Sequence, residues 1–140
     1  MNDIVTCNGC FDGLHAGHLF LLGFAKGQCR PQDKLIVLIN SDEYIKKNKR
    51  PNPQPALKRA SALLAVEVVH DVSVFTSDNA CEMLQELKPR IHCVGEEYKD
   101  GCPEIDLCAE IGTKVVFVPR VGVWRASWHR RLQRIRVLRL

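Results

Sequence analysis

The chain has 140 residues, of which 46% are hydrophobic and 26% are charged. These values are typical of one globular domain and exclude a disordered chain, a collagen-like repeat and a second independent core. The net charge of +4 conceals an asymmetry, because residues 120–140 carry seven Arg and no acid, whereas residues 1–119 carry 13 basic and 16 acidic residues. Nucleic-acid binding inferred from net charge would therefore depend on the tail alone, and we do not favour it.

No apolar run approaches the roughly 20 residues of a membrane-spanning helix, and the first residues lack the features of a secretion signal. We therefore expect a cytoplasmic protein that does not bind membranes. The seven cysteines are an odd number, which favours free thiols in that compartment. Cys7 and Cys10 have the spacing of a zinc or redox pair, but no second Cys-x-x-Cys follows, so we expect reduced thiols and no bound metal.

Short apolar and β-branched runs predict five strands, which alternate with helices. The strands are expected at residues 3–8, 34–40, 68–75, 91–94 and 113–118, and the helices at residues 15–26, 56–66, 79–87 and 103–111. Asp78 is the expected cap of the third helix. Residues 41–49 are polar and basic and are expected to form a loop, which continues into the proline-rich residues 50–55. This alternation predicts an α/β protein with a three-layer, doubly wound (Rossmann-like) fold and a five-stranded parallel sheet.

The loop after the first strand is the expected ligand site, because doubly wound sheets bind ligands beyond the carboxyl ends of their strands. It reads Asn8-Gly9-Cys10-Phe11-Asp12-Gly13-Leu14-His15-Ala16-Gly17-His18. His15 and His18 share one side of a helix N-terminus, where free N–H groups and the helix dipole attract anions. Gly17 between them would let a phosphate approach the backbone. The alternatives are surface or capping histidines, and a zinc site, for which the spacing is unusual and no acidic partner is evident.

With this loop as its core, the sequence resembles the H-x-G-H (cytidylyltransferase-like) nucleotidyltransferase superfamily. It is similar to the adenylyltransferase domain of ADP-heptose synthase and, in its first segments, to glycerol-3-phosphate cytidylyltransferase. The similar segments are residues 5–22, 35–42, 50–51, 69–75 and 89–98, together with Arg59. The resemblance implies a nucleotidyltransferase domain over residues 1–121, followed by an atypical basic tail over residues 122–140.

The resemblance also implies a reaction. A phosphate oxygen of a phosphorylated sugar or polyol would attack the α-phosphorus of an NTP, either ATP or CTP, and pyrophosphate would leave. The protein would supply no nucleophile and would act by positioning its substrates and neutralising charge. Mg²⁺ bound with the NTP is the implied cofactor, and association into a homodimer is left open.

Residue roles follow from the same resemblance. His15 and His18 would hold the triphosphate, and Lys46 would complete the catalytic set, with Lys47 and Lys49 as alternatives in the same stretch. The residues implied for nucleotide binding are Asn8, Gly9, Cys10, Phe11, His15, Gly17, His18, Arg59, Gly95, Glu97, Tyr98 and Ser127. Asp12 would order the loop. For Arg59 the alternative is an ordinary surface charge on a helix, and for Glu97 a solvated loop.

Two departures from the family pattern leave other functions open. Val94 stands where related heptose enzymes have a lysine, which affects the identity of the acceptor. After Val121 a basic segment replaces the family's Ser/Thr-rich turn, and only Ser127 could supply a hydroxyl there. This segment is interpreted as a shifted reading frame near Val123, as a basic helix that docks or contacts nucleic acid, or as a solvated helix. The alternative functions are a nucleotide-binding pseudoenzyme and a nucleic-acid-binding module.

Overall fold

The structure, a computed structural model, describes residues 1–120. The strands found in that range are β1 (Asn2–Gly9), β2 (Lys34–Asn40), β3 (Asp71–Phe75), β4 (Pro89–Gly95) and β5 (Lys114–Val118). They form one parallel sheet in the order β3-β2-β1-β4-β5. The chain therefore extends from β1 toward one edge and then returns to pair β4 with the other side of β1. This topology confirms the predicted doubly wound α/β fold.

Helices cover both faces of the sheet. They are α1 (Ala16–Gly27), α2 (Asp42–Asn48), α3 (Ala56–Leu64), α4 (Cys81–Leu87) and α5 (Pro103–Ile111). The α1 and α3 side chains pack against Val5 and Val37 on one face, and the α4 and α5 side chains pack against Ile36 and Leu38 on the other. Because successive strand residues face opposite layers, β2 is apolar without interruption. Among residues 1–120, no helix has the length and apolar character needed to cross a membrane.

The prediction of a loop at residues 41–49 is wrong, because α2 occupies most of that stretch. Ser41 caps α2 by accepting a hydrogen bond from the Tyr44 N–H at 3.2 Å. Ile45 is the buried residue of this short helix. A single buried position gives no helical periodicity, which is why the sequence pattern did not reveal α2.

The predicted cap of α4 is also wrong. The helix begins at Cys81, with Ala80 as its N-cap, and not at residue 79. The Oδ1 atom of Asn79 accepts a hydrogen bond from the Cys81 N–H at 3.0 Å, and the Ala80 N–H donates to Glu104 of α5 at 3.1 Å. A side chain distant in sequence therefore satisfies this helix end, and Asp78 lies in the cleft described below.

Strand β3 is shorter than predicted. It begins at Asp71, although Val69 is buried and strand-like in sequence. The Val69 N–H donates to the Val66 carbonyl, so these two valines enter the core from a turn. The burial of this turn thus explains why the residues before Asp71 are apolar, although sequence reasoning assigned them to the strand.

Candidate functional site

A cleft of about 860 Å³ lies at the carboxyl ends of the strands. All five strands contribute to it through their last residues or the segments that follow them. It includes the crevice between β1 and β4, where the direction of strand order reverses. This is the place where a doubly wound sheet binds ligands. The predicted site residues that line it are Asn8, Gly9, Cys10, Phe11, His15, Gly17, His18, Gly95, Glu97 and Tyr98.

One side of the cleft, here termed the histidine wall, consists of residues 8–18. His15 is the N-cap of α1, and its Nδ1 accepts hydrogen bonds from the N–H groups of Gly17 at 3.0 Å and His18 at 3.4 Å. In return, the His15 N–H donates to the Nδ1 of His18 at 3.3 Å. The two imidazoles stack with their centroids 3.7 Å apart. Local hydrogen bonds therefore fix both rings in one reciprocal capping arrangement.

This arrangement determines where the protons of the rings lie. A Nδ1 atom that accepts a hydrogen bond leaves the proton of a neutral imidazole on Nε2. The pKa of His18 is lowered to about 4, chiefly by burial and also by the neighbouring His15, while a backbone hydrogen bond with Gly13 raises it. His18 is therefore neutral at pH 7, with its proton on Nε2.

Gly17 is required by the close approach of the His15 ring. A Cβ atom at Gly17 would lie 2.9 Å from the Cε1 of His15. Such a contact is shorter than carbon atoms tolerate, so a side chain at this position would displace the ring. The H-x-G-H spacing thus has a steric cause as well as an electrostatic one.

Phe11 supports the other side of the His18 ring. Its φ of +49° lies in the left-handed region, which is strained for a bulky residue. Only 3% of Phe11 is exposed, and its ring contacts that of His18 with 4.9 Å between the centroids. The core contacts that hold this backbone conformation therefore also position His18.

Asp12 orders the loop, as predicted. Its Oδ1 accepts a hydrogen bond from the Gln54 N–H at 2.9 Å, and its Oδ2 pairs with Arg50 at 3.2 Å. Both partners belong to the proline-rich loop before α3. Asp12 thereby fastens that loop to the histidine wall.

Arg59 is buried beneath the cleft, so the alternative of a surface helix charge is wrong. Its side chain has no exposed area. Its Nη1 donates to the carbonyls of Cys10 at 2.9 Å and Asn40 at 2.7 Å, its Nε to that of Gln54 at 2.8 Å, and its Nη2 to Asp42 at 2.6 Å. Arg59 therefore joins four segments around the cleft, and its contact with phosphates stays a prediction.

The lysines after β2 are separated by the structure. Lys49 lines the cleft, and its charge lowers the pKa of Cys10, although burial of that thiol raises the pKa more. Lys46 is exposed in the last turn of α2 and does not belong to the cleft lining that the described residues form. Its catalytic role stays a prediction, and Ser127 lies outside the described residues.

A second set of lining residues, here termed the acidic wall, comprises Asp78, Asn79, Glu97 and Glu104, and Arg120 also lines the cleft. The four acidic-wall residues belong to the starts of α4 and α5 and to the short turn after β4. Glu97 folds back over the chain, since a Cβ at Gly95 would meet its carboxylate at 2.5 Å. The two walls thus differ in charge across one cleft.

Sequence reasoning missed much of this lining. It did not select Asn40, Tyr44, Cys93, Cys102, Glu104 or Arg120 as site residues, and it interpreted Asp78 only as a cap. Except for Cys93, each of these lies at or beyond the end of a strand, and that position was the available signal. Residues 1–120 contain no group of three or more His, Cys, Asp or Glu side chains arranged to hold a metal ion.

The fold and the cleft define the class of the protein: a doubly wound α/β protein with paired imidazole donors at its switch point. A family model described as Cytidylyltransferase-like matches residues 6–132. The chain therefore belongs to the cytidylyltransferase-like family, which groups it with the nucleotidyltransferase enzymes.

Curated relatives and a solved structure agree with this family. The chain is 38% identical over 118 residues to Bifunctional protein HldE of Paramagnetospirillum magneticum, covering 82% of this chain and 24% of that protein. It is also 38% identical over 120 residues to the protein of that name in Streptomyces coelicolor, covering 83% and 25%. The chain thus spans about a quarter of the length of these relatives. The crystal structure of a lipopolysaccharide core biosynthesis protein from Thermoplasma volcanium matches with a TM-score of 0.67 at 24% identity, over 86% of this chain and 98% of that one, which supports the fold.

Proposed function

We propose that the protein transfers a nucleotidyl group from ATP or CTP to the phosphate of a phosphorylated sugar or polyol. A phosphate oxygen of the acceptor forms a bond to the α-phosphorus, the bond from the α-phosphorus to the bridging oxygen breaks, and pyrophosphate leaves. The observation that carries the proposal is the stacked pair His15 and His18 in the cleft, whose Nδ1 atoms accept hydrogen bonds from backbone N–H groups and thereby fix both rings.

The histidine wall supports this chemistry by providing preorganised donors. Negative charge that develops on phosphate oxygens is stabilised by Nε2–H groups that need no reorientation. The N-terminus of α1 adds its positive dipole at the same place. Lys49 supplies a formal cation from the cleft lining, and we assign it, in place of Lys46, to the triphosphate. Comparing Lys49→Ala with Lys46→Ala decides between them by which variant raises the KM for the NTP.

Mg²⁺ enters this proposal as part of the substrate. It would accompany the triphosphate and neutralise charge on the β- and γ-phosphates. The chain's own contribution is to bind and orient the two substrates and to donate hydrogen bonds from His15 and His18. The sugar or polyol class of the acceptor is supported by the resemblance to the adenylyltransferase domain of ADP-heptose synthase.

A pyrophosphate-release screen tests the proposal. It crosses ATP, CTP, GTP and UTP with a panel of sugar 1-phosphates and polyol phosphates, in the presence of Mg²⁺. Release that requires both substrates and is lost in His18→Ala would support nucleotidyl transfer. Nucleotide binding without release from any pair would instead favour a pseudoenzyme, and absence of both would refute the proposal.

A further inference from the structure

Glu104 is a buried carboxylate in the cleft that takes part in no ion pair among residues 1–120. It lies in the first turn of α5, lines the cleft and is 9% exposed. Its Oε1 accepts a hydrogen bond from the Ala80 N–H at 3.1 Å, and its side chain also bonds with the Cys102 side chain. Both partners are neutral, and none of the ion pairs among residues 1–120 includes Glu104.

Asp33 is a buried carboxylate outside the cleft, and its ion-pair partners provide a comparison for Glu104. It is 6% exposed and pairs with two cations, Arg30 and Arg90. Arg30 contributes most to holding the pKa of Asp33 well below its usual range. Burying an ionised carboxylate without such partners is costly. Glu104 differs from Asp33 because its hydrogen-bond partners within residues 1–120 are neutral and because it lines the cleft, where a ligand can reach it.

Among the groups of residues 1–120 that Glu104 influences is His92, which is fully buried on β4. The Nδ1 of His92 lies 2.7 Å from the Thr6 hydroxyl, and its Nε2 has no hydrogen-bond partner within the described part of the chain. Burial lowers the pKa of His92 to about 4, although Glu104 opposes this shift, so the imidazole is neutral at pH 7.

We propose that Glu104 determines acceptor specificity by accepting a hydrogen bond from a hydroxyl of the sugar or polyol while the acceptor phosphate faces the histidine wall. This inference deepens the proposed function and depends on it. Oε1 of the carboxylate accepts the Ala80 N–H, and a carboxylate can accept several hydrogen bonds, so Glu104 can accept one from a ligand in the cleft. A single hydroxyl supplies the donor without adding charge. An ammonium group on the acceptor would be the competing ligand, and the experiment distinguishes the two.

The expected effect is large enough to measure. A hydrogen bond from a neutral donor to a buried carboxylate corresponds to a change of about tenfold to a hundredfold in affinity. We therefore expect Glu104→Gln to raise the KM for the hydroxylated acceptor by about tenfold or more, with the KM for the NTP unchanged. Gln retains a carbonyl oxygen for the Ala80 N–H, so the start of α4 keeps its partner.

The experiment compares the parent protein, Glu104→Gln and Glu110→Gln in the pyrophosphate-release assay. Glu110 is exposed near the end of α5 and outside the cleft lining, so its variant controls for loss of charge on the same helix. The acceptors are a polyol phosphate, analogues each lacking one hydroxyl, and an amino-alcohol phosphate. We expect the parent to use one deoxy analogue as poorly as Glu104→Gln uses the full acceptor. Activity with that analogue should not decrease further in Glu104→Gln.

The outcomes separate this inference from the function on which it rests. If the parent transfers nucleotide but Glu104→Gln has the parent's acceptor KM, the role of Glu104 is refuted and the proposed function stands. A parent preference for the amino-alcohol phosphate that Glu104→Gln abolishes would also refute hydroxyl recognition. A parent inactive with every acceptor would refute both. If Glu104→Gln lowers the melting temperature, the deoxy analogues still test hydroxyl recognition with the parent protein alone. Equal activity of the parent with the full acceptor and with every deoxy analogue would refute it.

Discussion

The two walls of the cleft are built in different ways. The histidine wall is local, because the hydrogen bonds that orient its rings connect residues within four positions of one another. The acidic wall is assembled from residues that are up to 26 positions apart, between Asp78 and Glu104, and the hydrogen bond from the Ala80 N–H to Glu104 joins the starts of two helices. A local wall is fixed by a short motif, whereas the other depends on how α4 and α5 pack.

The difference in charge between the walls indicates that each wall suits a different part of the substrates. Imidazole donors and a helix N-terminus favour phosphate oxygens at the histidine wall. Carboxylates repel phosphate but accept hydrogen bonds from hydroxyls at the acidic wall. One wall therefore supports the chemistry shared by a family, while the other is suited to selecting the acceptor.

The largest expected effect comes from removing a donor of the histidine wall. His18→Ala should lower kcat by about 10²–10³, because its hydrogen bond strengthens as charge develops in the transition state. Nucleotide affinity should fall much less. Steady-state kinetics and nucleotide titration check this, with His70→Ala as the control, since His70 is exposed and outside the cleft lining. An unchanged kcat would remove His18 from the mechanism.

The second effect concerns the connection beneath the histidine wall. Arg59→Met removes every hydrogen bond to the carbonyls of Cys10, Asn40 and Gln54 and the ion pair with Asp42. The unfolding free energy should fall by about 1.5–3 kcal/mol, since buried acceptors lose a charged donor. Urea denaturation measures the loss.

Controls sharpen the role of Arg59. Lys58→Met alters an exposed neighbour on the same helix and should leave stability within about 0.5 kcal/mol of the parent. Arg59→Lys keeps the charge but cannot reproduce the planar set of donors, so it should be destabilised as well. Parent-like stability of Arg59→Met would show that these contacts contribute little to the fold.

A smaller effect is expected from a methyl group inside the motif. Gly17→Ala places a Cβ 2.9 Å from the His15 ring, so the ring must move out of its capping position. We expect a loss of about tenfold in kcat/KM, the value of one misplaced hydrogen-bond donor. Gly27→Ala, at the other end of α1, meets no atom within 4 Å and serves as the control. Equal activity of the two variants would contradict the steric account of the motif.

The last expected effect is a graded dependence of stability on pH. In the folded protein burial lowers the pKa of His92 from 6.5 to about 4, so the unfolded chain binds more protons between these values. The contribution of neutral His92 to the unfolding free energy should therefore be complete above pH 6.5. The unfolding free energy should fall as the pH decreases toward 4. His92→Leu should reduce the proton uptake on unfolding by up to about one proton in this range.

Denaturation curves between pH 4 and pH 7 measure this dependence. His70→Asn is the matched control, because His70 is exposed. It should leave the slope of stability against pH as in the parent. A parent-like slope in His92→Leu would assign the dependence to other groups, among them His18, whose pKa is lowered in the same direction.

Particular residues show why prediction succeeded or failed. His15, His18 and Gly17 line the cleft, and the hydrogen bonds that define their geometry connect residues close in the chain; their roles in binding and catalysis stay predictions. Arg59 was recognised by resemblance, but its burial was not expected, since a helical arginine is ordinarily a surface residue. Glu104 was not selected at all, because no sequence signal connects it to Ala80 or His92.

The sequence by itself determined the alternation of strands and helices, the parallel sheet and the histidine wall. These features depend on periodicity and on contacts between residues close in the chain, which composition and spacing encode directly. Only the tertiary structure decided that Glu104 lines the cleft and forms no ion pair within residues 1–120, that Arg59 lies beneath the cleft, and that Lys49 rather than Lys46 lines it. The physical reason is that burial and charge pairing depend on which helices cover which face of the sheet, and this follows from packing of the whole chain.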